Sequence, residues 1–439
     1  MRTEFTAEQL EDPALRESEA IIRRCVHCGF CNATCPTYLL QGDELDSPRG
    51  RIYLIKEMLE NDRPATTDVV RHVDRCLSCL ACMTTCPSGV NYQHLVDHAR
   101  AHIEQTYRRP WSDRWMRAFL AAVMPYPRRF AFFLVLGRLA RPFAPLLPRR
   151  LSSALALLSQ AAQPGSEDGG VGHVQPNASA AAVPAPATNA RVGVLTGCVQ
   201  SVLGSSANAA TFRLLSRMGA EPVELSGCCG SLSHHLGRSG ETRDFAVTVI
   251  ERLKKVESSS PVDAIAVTAS GCGVHLNDYG FVFREDDQLA ESAARVSELA
   301  RDVTEVVAEL GLPTVTRPGG LRVAYHSACS MQHGLRNQNP PRELLRAAGF
   351  EVVEIPEGHV CCGSAGTYNM LQPELADRLR ERKLGHLAGL DFDVIAAGNL
   401  GCMTQLAAGT DRPIVHTVEL LDWATGGPVP SAIAALVAA

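Results

Sequence analysis

The segment Cys25-Val26-His27-Cys28-Gly29-Phe30-Cys31-Asn32-Ala33-Thr34-Cys35-Pro36 returns as Cys76-Leu77-Ser78-Cys79-Leu80-Ala81-Cys82-Met83-Thr84-Thr85-Cys86-Pro87. Both copies read C-x2-C-x2-C-x3-C-P. Three thiols spaced two residues apart converge through a single tight loop. The longer gap and the proline turn the fourth thiol away from them. Eight cysteines in duplicate register are not bystanders, so the fold is built around them.

Thiolates at this spacing bind [4Fe-4S] clusters in the manner of bacterial ferredoxins, where the fourth cysteine of each run ligates the cluster of the other run. The pattern assigns Cys25, Cys28, Cys31 and Cys86 to one cluster, and Cys76, Cys79, Cys82 and Cys35 to the other. Structural zinc is the bland alternative, and the third cysteine and trailing proline of each run argue against it.

The rest of the composition narrows the setting. A chain of 439 residues has room for two or three domains. Its net charge of −5 gives no general affinity for nucleic acid. Sixteen cysteines follow a polar, charged start, Met1 to Arg24, that does not read as an export signal. Metal ligation in a reducing cytoplasm is therefore expected rather than a disulfide framework.

Between the two runs, Ser47 can cap a helix with Pro48 in its first turn, and Ile52, Ile55, Met58 and Leu59 keep a helical stripe. His27, Arg49 and Arg51 lie near the cluster ligands in sequence, either as redox-tuning groups or in ordinary packing. A helix over Val90–Tyr107 closes a ferredoxin-like domain expected at residues 1–110. Residues 111–163 form a basic amphipathic helical segment; the overlapping stretch 108–150 carries ten arginines and one aspartate among Trp111, Trp115, Phe119, Phe130, Phe132 and Phe133. No uncharged run there approaches the ~18–20 residues of a membrane span. Such a stretch can pack on the rest of the chain, on a partner subunit or on an anionic membrane surface. Residues 164–190 are rich in Gly, Pro, Ala and Ser and read as a flexible linker.

Beyond the linker the chain repeats itself. Val192-Gly193-Val194-Leu195 leads to Cys198, and Val323-Ala324-Tyr325-His326 leads to Cys329. Helical patterns ending at Gly219 and Gly349 follow. Short strands from Glu221 and Glu351 then run to Cys228-Cys229-Gly230 and Cys361-Cys362-Gly363. Further strands, from Ala264 and Val394, deliver Cys272 and Cys402. The spacings are C-x29-CC-x42-C and C-x31-CC-x39-C. Strands alternating with helices predict an α/β layer in each copy, at residues 191–316 and 317–439, with the cysteines where strands give way to loops at one end of a sheet. Four thiolates in each copy could hold a [4Fe-4S] cluster, a zinc ion or a non-cubane cluster with a fifth ligand. The fold class is thus a helical ferredoxin-like domain with two [4Fe-4S] sites, followed by two repeated α/β Cys-Cys-Gly domains.

Two ferredoxin motifs followed by two Cys-Cys-Gly domains resemble the iron-sulfur subunits of flavin dehydrogenases and heterodisulfide reductases. Within that group the chain is most similar to the glycolate oxidase (glycolate dehydrogenase) iron-sulfur subunits. The similarity is carried by Cys25 to Tyr38, Gly42-Asp43-Glu44-Leu45-Asp46-Ser47-Pro48-Arg49-Gly50-Arg51-Ile52-Tyr53, Thr268 to Gly273, and His359-Val360-Cys361-Cys362-Gly363-Ser364-Ala365-Gly366-Thr367-Tyr368. The resemblance implies an electron conduit: FAD-binding partner subunits oxidise glycolate to glyoxylate, and this subunit passes electrons towards quinone at the inner face of the cell membrane. It departs from the heterodisulfide-reductase pattern, whose domains end in C-x2-C, at His275 and Gln405. His275 reads either as an imidazole ligand or as an uninvolved polar residue, and Gln405 is a poor ligand, leaving the second copy with four cysteines. No G-x-G-x-x-G opens a βαβ unit, so no catalytic residue is expected in this chain. The alternatives are a conduit for lactate or glycerol 3-phosphate, and a thiol-disulfide reductase acting through its own clusters.

Overall fold

The structure is a computed structural model that describes residues 1–140, 142, 190–317 and 320–438. The expected linker, apart from Ala190, and residues 143–163 of the basic segment lie outside the described residues.

Capping chemistry sets the helices of the N-terminal region. Helix α1 (Pro13–Arg24) begins at Asp12, whose carboxylate accepts from the Ala14 amide, with proline in its first turn. Helix α2 (Pro36–Gln41) starts on the proline that closes the first cysteine run. Helix α3 (Pro48–Glu60) is capped by Ser47, whose hydroxyl accepts from the Gly50 amide, and the stripe Ile52, Ile55, Met58 and Leu59 is buried. Helices α4 (Thr67–Asp74), α5 (Ala81–Thr85) and α6 (Tyr92–Thr106) follow. Ile22, Ile55, Val73, Leu95 and Ile103 join α1, α3, α4 and α6 in one apolar core that also contains Cys25, Cys76 and Cys82.

Helices α7 (Trp111–Val123) and α8 (Pro127–Ala140) meet at a bend of 120°. No single described helix is long and apolar enough to cross a membrane. Met116 and Leu120 of α7 pack on Leu232, Leu236, Met370 and Leu371.

Two four-stranded parallel sheets make up the remainder. Strands β1 (Arg191–Leu195), β2 (Glu221–Leu225), β3 (Ala264–Val267) and β4 (Ala300–Asp302) lie in the order β2-β1-β3-β4. Strands β5 (Arg322–His326), β6 (Glu351–Glu354), β7 (Val394–Ala397) and β8 (Ile414–His416) repeat that order as β6-β5-β7-β8. Parallel neighbours need crossover helices, which explains the apolar runs in the central strands, covered on both faces. Helix α9 (Ser205–Arg217) connects β1 to β2, and α10 (Ser239–Glu257) connects β2 to β3.

Each repeat keeps a core of its own on one side of its sheet and shares another with its partner repeat. Val192, Leu214, Leu345, Val394 and Leu421 belong to one buried cluster running through both sheets. Arg213 and Arg217 from α9 pair with Asp422, which is buried in the other repeat. The three-residue strands β4 and β8, each ending in a helix cap, are too short to show as a period-two pattern and are not legible in the sequence.

Candidate metal centres

The two cysteine loops share one backbone path. His27 and Gly29 in the first take left-handed φ of 57° and 82°; Ser78 and Leu80, at the same offsets, take 49° and 61°. Left-handed residues other than glycine are costly, and their recurrence at matched positions marks a loop held for what it presents.

A cavity beside the first loop is lined by Cys25, Cys28, Cys31 and Cys86 and also by Cys82, which the sequence pattern gives to the other cluster. Cys86 thus reaches the first loop although it belongs to the second run. Burial pushes the Cys31 thiol up to about 11, and the nearby Cys25, Cys35 and Cys86 act in the same direction. Cys28 is exposed. Beside it Val26 and Phe30 are 67% and 62% exposed, a solvent-facing apolar rim.

Cys76, Cys79, Cys82 and Cys35 are all buried. Burial pushes Cys82 well up, and Cys79, Cys76, Cys35 and Cys31 act in the same direction. Around this set stands a buried polar frame. Arg51 is 1% exposed; its Nε donates to the His72 carbonyl at 2.6 Å, its Nη2 to Thr37 at 3.0 Å, and its Nη1 points at Cys35 Sγ at 3.9 Å. Burial opposes the guanidinium charge, but Cys76, Tyr92, Cys35 and Asp46 outweigh it and keep Arg51 protonated. Asp46 is fully buried and meets Arg51, Arg75 at 2.7 Å and His72 at 2.8 Å. A fixed cation beside four thiols is a lever on cluster potential and on thiolate charge. Arg49, by contrast, serves the first loop from the surface, donating to the His27 carbonyl at 3.1 Å and to Glu44 at 2.6 Å.

In both repeats the Cys-Cys-Gly corner follows the second strand, with Gly230 and Gly363 at φ of 83° and 96°. A side chain at Gly363 would also run into the Ala376 carbonyl, so glycine is required there. The first-copy thiols form a connected string: Cys228 lies within hydrogen-bonding reach of Cys198 and Cys229, and Cys229 of Cys272. The second copy repeats it, with Cys329 Sγ 3.7 Å from Cys361 Sγ, Cys361 against Cys362, and Cys362 against Cys402. One expectation is corrected. Cys272 and Cys402 stand in the first turn of helices α11 (Ser270–Asn277) and α12 (Leu400–Ala407), not in loops. The chain turns into a helix at once because the strand ends on a short cap, Asn399 accepting from the Gly401 amide at 2.9 Å in the second copy.

The two strings approach each other. Ser270 and Ser330 are 2.7 Å apart through their hydroxyls, and Asn399 donates to Ser270 at 3.1 Å. The second string also meets the second cysteine loop. Leu77, Cys79 and Ala81 share an apolar cluster with Val360, Cys361 and Tyr368, against which Cys329 packs. Tyr368 donates to the Arg75 carbonyl at 3.1 Å, and Thr84 bonds His333 at 2.8 Å. Nothing in the sequence brings Cys79 to Cys329 and Cys361.

The positions that depart from C-x2-C behave differently. Gln405 is spent: it donates to the Ala376 carbonyl at 3.0 Å and accepts from Asn369 at 3.2 Å. His275 packs among rings, 4.7 Å from that of His234 and 5.2 Å from that of Tyr279, with its Nε2 buried and unpartnered among the described residues. Burial, then His234 and His235, hold it well below the ordinary imidazole range. His234 pairs with Asp97 of α6 at 3.1 Å, so this histidine group joins the first repeat to the N-terminal region. In the second repeat, His326 at the end of β5 approaches Cys362 and Cys402, a neighbour the sequence reading registered only as the end of a strand.

Known proteins share this arrangement. Residues 21–90 match the 4Fe-4S dicluster domain family, and residues 192–277 and 323–407 each match the cysteine-rich domain family. The glycolate oxidase iron-sulfur subunit of Escherichia coli is 38% identical over 97% of this chain and 99% of its own length. A probable glycolate oxidase iron-sulfur subunit of Bacillus subtilis is 29% identical over 97% of this chain and 99% of its own. Lactate utilization protein A of Oceanobacillus iheyensis is 24% identical over 53% of this chain and 96% of its own length.

Proposed function

This chain belongs to the glycolate oxidase iron-sulfur subunits, and from that premise we propose that it carries electrons from a flavin-bearing partner, which oxidises glycolate to glyoxylate, towards quinone. The residues fit iron-sulfur clusters: Cys25, Cys28, Cys31 and Cys86 line one cavity, and Cys35, Cys76, Cys79 and Cys82 are the proposed second set. When bound, such clusters take up and give back single electrons, which divides a flavin's two-electron load into two steps. The ferredoxin-like unit is proposed at residues 1–110 and the two Cys-Cys-Gly units at 191–316 and 317–439.

The observation that carries this reading is a continuous row of thiols from surface to interior. It starts at exposed Cys28, passes through the buried second loop, and reaches Cys329 and Cys361 across the cluster that holds Cys79. The exposed rim of Val26 and Phe30 supports the first loop as the port for a partner. Within the second set, Arg51 offsets thiolate charge and Tyr92 directs its hydroxyl at Cys76 Sγ from 3.8 Å. Glycolate is favoured over lactate because the likeness to glycolate oxidase subunits runs the length of both chains, whereas lactate utilization protein A covers half of this one. A thiol-disulfide reductase is disfavoured by Gln405, whose amide is occupied by protein groups.

Attachment to the inner face of the membrane is proposed through α7 and α8. Their outward side leaves Trp111, Trp115, Phe132 and Leu139 exposed, with Arg128, Arg129 and Arg138 on the same helices. Co-sedimentation with anionic vesicles tests this; recovery equal to that with neutral vesicles overturns it.

The deciding experiment is anaerobic purification of the tagged chain from its native cell, assayed with glycolate and an electron-accepting dye and analysed for co-purifying flavin. Flavin with glycolate-dependent dye reduction is expected. Turnover of lactate or glycerol 3-phosphate instead overturns the substrate, and clusters without flavin or partner overturn the conduit.

A further inference from the structure

We propose that His326 is a metal ligand of the second Cys-Cys-Gly site, sharing one metal ion with Cys362 and Cys402. The proposal rests on the reading that the Cys-Cys-Gly thiols hold metal, and it assigns a donor that lies outside the cysteine pattern altogether.

The geometry comes from the strand. β5 delivers His326 as its last residue, in register with Ala397 of β7 and three residues before Cys329. One imidazole nitrogen of His326 and the sulfurs of Cys362 and Cys402 all lie within 4.8 Å of one another. A thiophilic metal with bonds of about 2.0–2.3 Å spans donor separations of up to about 4 Å, so small rotations close the three onto one ion. All three side chains are buried. Imidazole with thiolate is a donor set that suits zinc and iron alike.

Six histidines have a buried ring nitrogen without a hydrogen-bond partner among the described residues, and His326 combines that with two thiol neighbours. The Nε2 of His326 is buried without a hydrogen-bond partner among the described residues, which is costly unless something else fills the position. The first repeat provides an internal control. Its residue three before Cys198 is Leu195, which packs in the same apolar cluster as Cys229, with Cys272 against it. The strand end therefore shares its surroundings with the third and fourth cysteines in both copies, but only the second copy puts a donor there. Gln405 is already bound to Ala376 and Asn369. The donor missing after Cys402 is thus supplied from the strand instead of the helix.

The test uses the full-length chain, purified anaerobically, with iron and zinc counted per chain. Protein carrying 15N-histidine is examined by pulsed EPR where the site holds paramagnetic iron, and by zinc-edge X-ray absorption where it holds zinc. A directly bound histidine nitrogen is expected in the wild type, since no histidine is proposed at the two ferredoxin sites. His326→Ala should lose the metal of this site, or release it to a chelator roughly tenfold faster or more, while the ferredoxin-type signals persist. His326→Cys should keep the metal with sulfur in place of nitrogen, a rescue that a purely structural histidine would not give. A sulfur-only shell in the wild type, or unchanged metal and spectrum in His326→Ala, overturns the proposal. Should His326→Ala fail to fold, the wild-type shell and His326→Cys decide. Glycolate turnover is scored separately on the same wild-type preparation, so its absence would refute the conduit and leave the ligand test standing.

Discussion

From Cys25 to Cys31 and from Cys76 to Cys82 the backbone follows one path, left-handed at the same two offsets, yet the loops live in opposite surroundings. The first keeps Cys28 at the surface under an apolar rim of Val26 and Phe30. In the second, Leu77, Cys79 and Leu80 are buried, and the second Cys-Cys-Gly corner packs over Leu77 and Cys79. Their arginines follow suit: Arg49 serves its loop from the half-exposed surface, and Arg51 is sealed inside with Asp46. One local design is placed once at the rim and once in the interior, the proposed port and the proposed relay.

Ligand removal should have the largest effect. Cys28→Ser is expected to remove or convert one cubane cluster and stop glycolate-dependent dye reduction; unchanged iron content and turnover would reject the assignment. Cys79→Ser should do the same to the other cluster. Being buried against Cys361, it should also cost about 1–3 kcal/mol of stability, seen as a lower denaturation midpoint that Cys28→Ser lacks. Equal midpoints would break the comparison.

The arginines come next. Arg51→Met leaves buried Asp46 short of a partner and should destabilise by about 3–5 kcal/mol. It should also lower the potential of the second cluster, measured by redox titration. Arg49→Met removes a partly exposed pair and should cost no more than about 1 kcal/mol. Similar losses for both would mean that burial does not distinguish the loops.

Phe30→Ser tests the port itself. Stability should stay within about 0.5 kcal/mol of the parent, while the apparent affinity for the flavin partner falls several-fold in a reconstituted electron-transfer assay. Undiminished transfer would remove the rim from the docking surface.

The smallest effect is on cluster loading. Burial holds the Cys31, Cys79 and Cys82 thiols above their ordinary range, so unloaded they keep their protons at neutral pH. Ligation needs thiolates and releases those protons, so raising pH from about 7 to 9 should speed anaerobic reconstitution. The second loop, with two such thiols in its own run, should show the steeper dependence in stopped-flow absorbance. A loading rate flat in pH would contradict the sign.

The eight-cysteine duplication, the proline after each run, the Ser47-Pro48 cap and the twofold Cys-Cys-Gly spacing are all legible in the sequence. Each is a local device: a thiol spacing fixes a loop, a cap fixes a helix start, and a glycine at positive φ fixes a corner. Short elements escaped because three residues carry no period, which is why β4 and β8 appear only in the sheets. The helical setting of Cys272 and Cys402 escaped because glycine-rich sequence around them reads as loop.

What the tertiary structure alone decided is which sites are neighbours and which side chains are buried. That Cys79 lies against Cys361, that both repeats share a core, that Gln405 is occupied and that His326 faces two thiols are all contacts between residues far apart in the chain. Spacing within a motif is set by bonds and turns of a few residues. Contact across hundreds of residues is set by which apolar faces bury each other, and that sum is taken over the whole fold.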